Sequence, residues 1–239
     1  MTRPARAVRS PFFFYLSLAF LAIALIGFST TFFIPLARGT FTAPPVVHLH
    51  GALLFGWLAF FTAQAVFIRN RNQRVHRRLG WLGLALSIAI VVSGIAVGLF
   101  ATRRDMAGTT ETWPVGNFVN IVIEMALFGA LVAAAVLTRR NPEAHKRLLV
   151  LATISALGPA WFRFRHFMPY VPNLVVTYSL IADAVLLVAI ARDWLTLKRV
   201  HPVYLWAGGA MFAIHCVELA CVDTPAWAAV GGWLLELAS

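Results

Sequence analysis

Seven apolar runs of roughly twenty residues, at approximately 11–35, 46–68, 79–101, 116–138, 148–170, 174–193 and 203–222, dominate the chain. A hydrocarbon core about 30 Å thick is crossed by about 20 helical residues, so each run is long enough to span. Lipid offers no partner to a free N–H or C=O, which leaves the α-helix as the only economical form for such a run. The sequence therefore predicts an all-α integral membrane bundle of seven transmembrane helices, a single domain over 1–239. Composition agrees: 60% of residues are hydrophobic and 12% charged, where a soluble domain carries about 25% charged.

The connecting segments predict the orientation. Arg3, Arg6 and Arg9, then Arg69, Arg71, Arg74, Arg77 and Arg78, then Arg139, Arg140, Lys146 and Arg147, then Arg192, Lys198 and Arg199 all fall on one side of the alternation. The opposite loops hold only Arg38, Arg103 and Arg104. By the positive-inside rule the N-terminus is cytoplasmic and the C-terminus outside. The net charge of +11 would suggest nucleic acid in a soluble chain. Here it lies in short loops that serve as topology signals and contacts for anionic lipid headgroups, and no nucleic-acid partner is expected. The basic start Met1–Ser10 leads into a run too long for a signal-peptide core, so it is read as a retained first span.

Two local features follow from residue type. Pro159 removes the backbone bond to Ser155 beside Gly158, which predicts a kink in the fifth span. After Asp223-Thr224-Pro225 only about 15 residues remain, about 22 Å of helix, too short to cross. They predict a short helix over about 225–237, at the outer surface or tucked against the bundle. Cys216 and Cys221, five apart on one helix, cannot form a relaxed disulfide.

Ionisable side chains inside a span cost about 2.5 to 3.5 kcal/mol even on lenient insertion scales. His48 and His50 open the second span, Glu124 and Asp183 lie within the fourth and sixth, and Arg163, Arg165 and His166 close the fifth. His215 and Glu218 sit in the seventh. All nine fall in the outer half. Helical spacing of three, four or seven groups Asn117, Asn120 and Glu124 on one face, Arg163 and His166 on another, Ser179 and Asp183 on a third, and His215 and Glu218 on a fourth.

Four polar edges at one depth predict a shared outer-leaflet pocket. His with Glu and Asp is the ligand set of zinc, iron or copper, and paired histidines hold b-type haem. His48, His50, Glu124, His166, His215 and Glu218 are the candidate ligands for a metal ion or haem b serving redox or small-molecule chemistry. Arg163 and Arg165 would hold an anionic group, Asp183 would orient a ligand histidine, and Asn117 and Asn120 would line the pocket. Two alternatives stay open: a proton-coupled or small-solute transport path through the same groups, and a structural network in which the arginines neutralise the carboxylates. His48 and His50 face about 200° apart on a helix and share a site only if Pro44 and Pro45 keep that segment extended. His76, His145 and His201 share one depth near the cytoplasmic face and form a candidate inner site, a zinc tripod with Asp193 or Glu143 or the inner half of a two-haem path.

Lys146 and Lys198 are the only lysines and neither lies inside a span, so a retinal Schiff base is excluded. There is no Walker loop, dinucleotide fingerprint, His-Glu-x-x-His motif or serine-nucleophile signature.

The segments "VHLHGALLFGW", "FTAQAVFI", "VHRRLGWLG", "AHKRLLVLAT" and "VHPVYLW", in that order, resemble a group of uncharacterised bacterial polytopic membrane proteins over most of residues 40–230. The resemblance implies a multi-pass protein of the bacterial inner membrane. It also places His48, His50, Gln64, His76, Arg78, His145, Arg147 and His201 in a recurring polar framework, outside which His215 and Glu218 lie. A looser resemblance to transmembrane b-type cytochromes rests on histidines near both faces of the bundle.

Overall fold

Proline and small polar caps set where the helices begin. The computed structural model describes residues 11–168 and 170–238, and every element among them is helical. Arg3, Arg6 and Arg9 lie outside the described residues. The first helix, α1 (Phe12–Phe28), widens into a π-helical turn at Ser29–Phe33 before α2 (Ile34–Ala37). Pro35 has no N–H to return to the preceding turn, which is where the ladder loosens.

α3 (Pro45–Arg69) starts after an extended Pro44 with Pro45 in its first turn, the position where a missing N–H costs nothing. α4 (Gln73–Met106) is capped by the Asn72 side chain, which accepts from the Val75 N–H. The cap pulls its start back from the predicted 79, and the helix runs 34 residues. α5 (Trp113–Leu137) is followed by α6 (Pro142–Ala156), which Asn141 caps.

The predicted fifth span is interrupted. α6 stops at Ala156, Leu157 turns the chain, and α7 (Gly158–Phe162) restarts it with Pro159 in its first turn. A 3-10 turn, Arg163–His166, ends the segment. α8 (Leu174–Leu197) is capped by Asn173 and stopped by Lys198 in a left-handed conformation at φ 55°. A second π turn, Tyr204–Gly208, leads into α9 (Gly209–Cys221). Thr224 then caps α10 (Pro225–Leu237).

Among the described residues six helical stretches are long and apolar enough to cross a membrane: Phe12–Ala37, Pro45–Arg69, Gln73–Met106, Trp113–Leu137, Leu174–Leu197 and Tyr204–Cys221. Their outward faces are apolar, with Val92, Leu187, Val188 and Leu205 all exposed, as a lipid-facing surface requires. The core is aromatic and aliphatic, built on Phe20, Trp57, Phe128, Leu151 and Met211.

Two of the close backbone approaches that glycine allows seat short helices on long ones. A Cβ at Gly27 would overlap the Ala160 carbonyl, and one at Gly231 would overlap the Val115 carbonyl and lie 2.8 Å from its Cγ1. The first seats α7 on α1 and the second seats α10 on α5. The C-terminal helix is therefore tucked against the bundle, and Trp227 fixes it by donating from Nε1 to Asn120 Oδ1 at 2.8 Å.

The charged loops meet at one end. Arg69 stacks on Phe14, Lys146 on Phe13, and Arg192 on Phe12 and Phe13. The start of α1 thus shares the basic end with the α3–α4, α5–α6 and α8–α9 connections.

A candidate carboxylate and imidazole relay

Helical register brings four of the candidate residues together between α5, α8 and α9. At 1.5 Å per residue, Glu124 lies about 17 Å from the start of α5, Asp183 about 14 Å from the start of α8 and His215 about 9 Å from the end of α9. His215 Nδ1 is 2.8 Å from Asp183 Oδ1. Its Nε2 is 2.9 Å from Glu124 Oε1, in ion-pair contact although the N–H does not point straight at that oxygen. Glu218, one helical turn on from His215, approaches the Glu124 carboxylate. Glu218 is buried, and its Oε1 has no hydrogen-bond partner. Beside it runs an apolar groove of about 230 Å³ lined by Ile123, Ala213, Ile214, Val217 and Glu218.

Both ring nitrogens of His215 therefore face a carboxylate. An imidazole accepts at one nitrogen only when neutral and donates from both only when protonated, so two carboxylate neighbours select the imidazolium. A metal requires a free ring lone pair, which this arrangement does not leave. Among the described residues no three His, Cys, Asp or Glu side chains are arranged to hold a metal ion.

The other proposed ligands stand elsewhere. Helix α3 is already formed at Pro45, so His48 and His50 diverge. His48 packs edge-on against Phe41 and lies near Phe32, and His50 Nδ1 is 2.9 Å from Ser93 Oγ on α4. His166 is exposed in the 3-10 turn. The six-residue ligand set does not converge, because the Pro44-Pro45 step starts the helix and the α7 break turns the end of the fifth run away.

The arginines take no carboxylate partner there either. Arg163 donates to Thr31 Oγ1 at 3.1 Å and to the Pro159 carbonyl at 2.7 Å, with its guanidinium 4.1 Å from the Phe28 ring. Arg165 caps the Phe162 carbonyl and stacks on the Phe162 ring. Both tie up the kinked end of α7. Asn117 is half-buried one turn before Asn120, whose oxygen is taken by Trp227.

Of the inner set, His76 and His145 come together with ring centroids 6.3 Å apart, nearly perpendicular at 83°. His201 turns back on its own loop, where its Nδ1 accepts from the Val203 N–H. Burial, aided by Arg147, holds the His201 pKa below its ordinary value.

The strongest polar cluster at the basic end escapes sequence reasoning. Arg147 is fully buried and pairs bidentately with the equally buried Asp193, at 2.8 Å and 2.7 Å. Its third bond reaches Glu143 at 2.6 Å, and Arg192 is a second partner for Asp193 at 2.9 Å. Only the Glu143-x-x-x-Arg147 spacing is visible in sequence; the Asp193 contact spans 46 residues. Burial works to raise the Glu143 pKa, but hydrogen bonds from Arg147 and Lys146 outweigh it and hold the carboxyl below 4.5.

No protein-family profile, no curated protein and no solved structure matches the chain.

Proposed function

We propose that the chain is a seven-span protein of the bacterial inner membrane in which Asp183, His215 and Glu124 relay protons and couple their movement to that of a small solute. The basic end is cytoplasmic, and α6 with α7 crosses as a kinked fifth span. The relay then lies in the outer half of the membrane.

The observation that carries this reading is His215 held between two carboxylates, with a third, Glu218, beside them. Fully ionised, the set holds three negative charges and one positive, which leaves two uncompensated charges in a low-dielectric setting. Protons shared among the carboxyls remove that excess, so the cluster is built to exchange them. Chains of Asp, Glu and His within spans are the usual proton path of pumps and carriers. The unpartnered Glu218 Oε1 on the apolar groove gives the relay an edge where a solute can bind.

A metal or haem at the same place is less well supported, because His215 offers no lone pair. Solid-supported membrane electrophysiology of reconstituted protein, screened with small organic acids, amines and sugars under an imposed pH step, tests the proposal. Proton-coupled currents should occur with the wild type and vanish in His215→Gln and Glu124→Gln. A silent wild type, or currents unchanged in both variants, rejects the relay.

A further inference from the structure

We infer that the solute taken up beside the relay is a small organic ammonium with an apolar body, held by Glu218 and exchanged for a proton, a reading that rests on the relay proposed above. Glu218 is 7% exposed, and its buried Oε1 has no hydrogen-bond partner. A carboxylate oxygen accepts and never donates, so what Oε1 lacks is a donor. The charged groups acting on Glu218 are Glu124 of α5, Asp183 of α8 and His215 of its own helix. His215 is already spent, with one ring nitrogen on Asp183 and the other on Glu124.

Charge selects the class of donor. Among the described residues no Lys or Arg pairs with any of the three carboxylates. Three carboxylates against one imidazolium attract a cation and repel an anion, and a neutral donor would leave the excess charge standing. An ammonium N–H supplies both the missing donor and the missing charge, as a charge-assisted bond roughly twice as strong as a neutral one. One proton shared between Glu124 and Glu218 leaves the set with a single excess negative charge. An ammonium on Glu218 leaves the same excess once that proton has departed to water. Cation and proton therefore compete for one place, and one enters as the other leaves.

Shape selects the body. The groove beside Glu218 holds about 230 Å³, and its other walls, Ile123, Ala213, Ile214 and Val217, are all aliphatic. At about 30 Å³ for a water-sized group, such a space takes roughly eight non-hydrogen atoms. Ala213 and Val217 are exposed on the outward surface of the bundle, so the groove opens between α5 and α9 toward lipid. Register fixes the pose. Ala213, Ile214 and Val217 precede Glu218 on its mid-span side, whereas Glu218 stands within one turn of the helix end at Cys221. An ammonium on Glu218 thus lies toward the headgroups with its apolar body toward the acyl chains, the pose an amphiphilic cation adopts in a bilayer.

The probe is n-hexylamine, an ammonium ion of that size at neutral pH. Titration calorimetry of the full chain in phospholipid nanodiscs, with empty nanodiscs as blank and two buffers of different ionisation enthalpy, reads both affinity and protons released. Hexylammonium should bind about tenfold or more tighter than 1-heptanol or hexanoate, with one proton released per cation bound. Glu218→Gln, of nearly the same shape, should weaken binding roughly 10- to 100-fold. Ala213→Phe, which fills the groove and leaves the carboxyls in place, should weaken it as well. Equal affinity for the alcohol or the acid, binding without proton release, or hexylammonium affinity unchanged in Glu218→Gln overturns the inference. Binding is read without transport: proton-coupled currents with another solute and no hexylammonium binding keep the relay and overturn the cation site. Specific, proton-releasing binding without any current supports the cation site and rejects the relay.

Discussion

Breaking the Arg147–Asp193 pair from either side should be the most damaging kind of single change in the basic half of the molecule. Arg147 and Asp193 both have fully buried side chains, joined by two bonds of 2.8 Å and 2.7 Å. Removing one partner of such a pair strands the other charge away from water and costs about 3 to 5 kcal/mol. Arg192, at 2.9 Å from Asp193, remains to compensate part of that charge, which puts Arg147→Met toward the lower end. Asp193→Ala leaves Arg147 only Glu143, whose side chain is 52% exposed, and falls toward the upper end. For a chain of 239 residues, with about 2 to 4 °C per kcal/mol, these losses lower the Tm by roughly 6 to 20 °C. The assay is thermal unfolding in detergent followed by tryptophan fluorescence. The double variant Arg147→Met with Asp193→Leu should recover most of the loss, since an apolar pair of similar volume replaces an ion pair at little cost. Shifts below about 2 °C in both single variants would refute the claim that this pair fastens α6 to α8.

Gly231→Ala should push α10 off α5, because the added methyl meets the Val115 backbone; a cost of about 1 to 3 kcal/mol and faster proteolysis after Asp223 are expected. Trp227→Phe removes the bond to Asn120 and should give the same proteolytic signature with a loss of about 1 kcal/mol. Glu143 is held below its ordinary value of 4.5 by Arg147 and Lys146, despite burial. A depressed carboxyl contributes its stability above that value and loses it as pH falls through the lowered one. The wild-type Tm should therefore drop on acidification below about pH 4.5, and Glu143→Gln should show a smaller drop.

Much of this arrangement is legible in the sequence where one helix decides the matter. The apolar runs locate the long helices, and the Gly158-Pro159 step marks the break after α6, because length and proline chemistry are local. Helix starts are less legible: the Asn72 cap adds a basic turn to α4 that hydropathy leaves out. Facing stripes on three helices pointed to Glu124, Asp183, His215 and Glu218 together, since depth and register are both countable. His48, His50 and His166 matched in depth yet stand apart, because depth says nothing of which neighbour a helix face meets. Arg147 with Asp193 is the converse case. Two residues that read as loop charges become a buried pair only once α6 and α8 are packed.

The central claim is that His215 carries a proton on each ring nitrogen between two carboxylates. Solid-state ¹⁵N resonance of histidine-labelled protein in lipid bilayers at neutral pH reads this directly, with His215 assigned by its absence in His215→Gln. The account predicts two protonated ring nitrogens, each shifted when Asp183→Asn or Glu124→Gln removes its own carboxylate. A neutral ring with one bare nitrogen, indifferent to both substitutions, would contradict it.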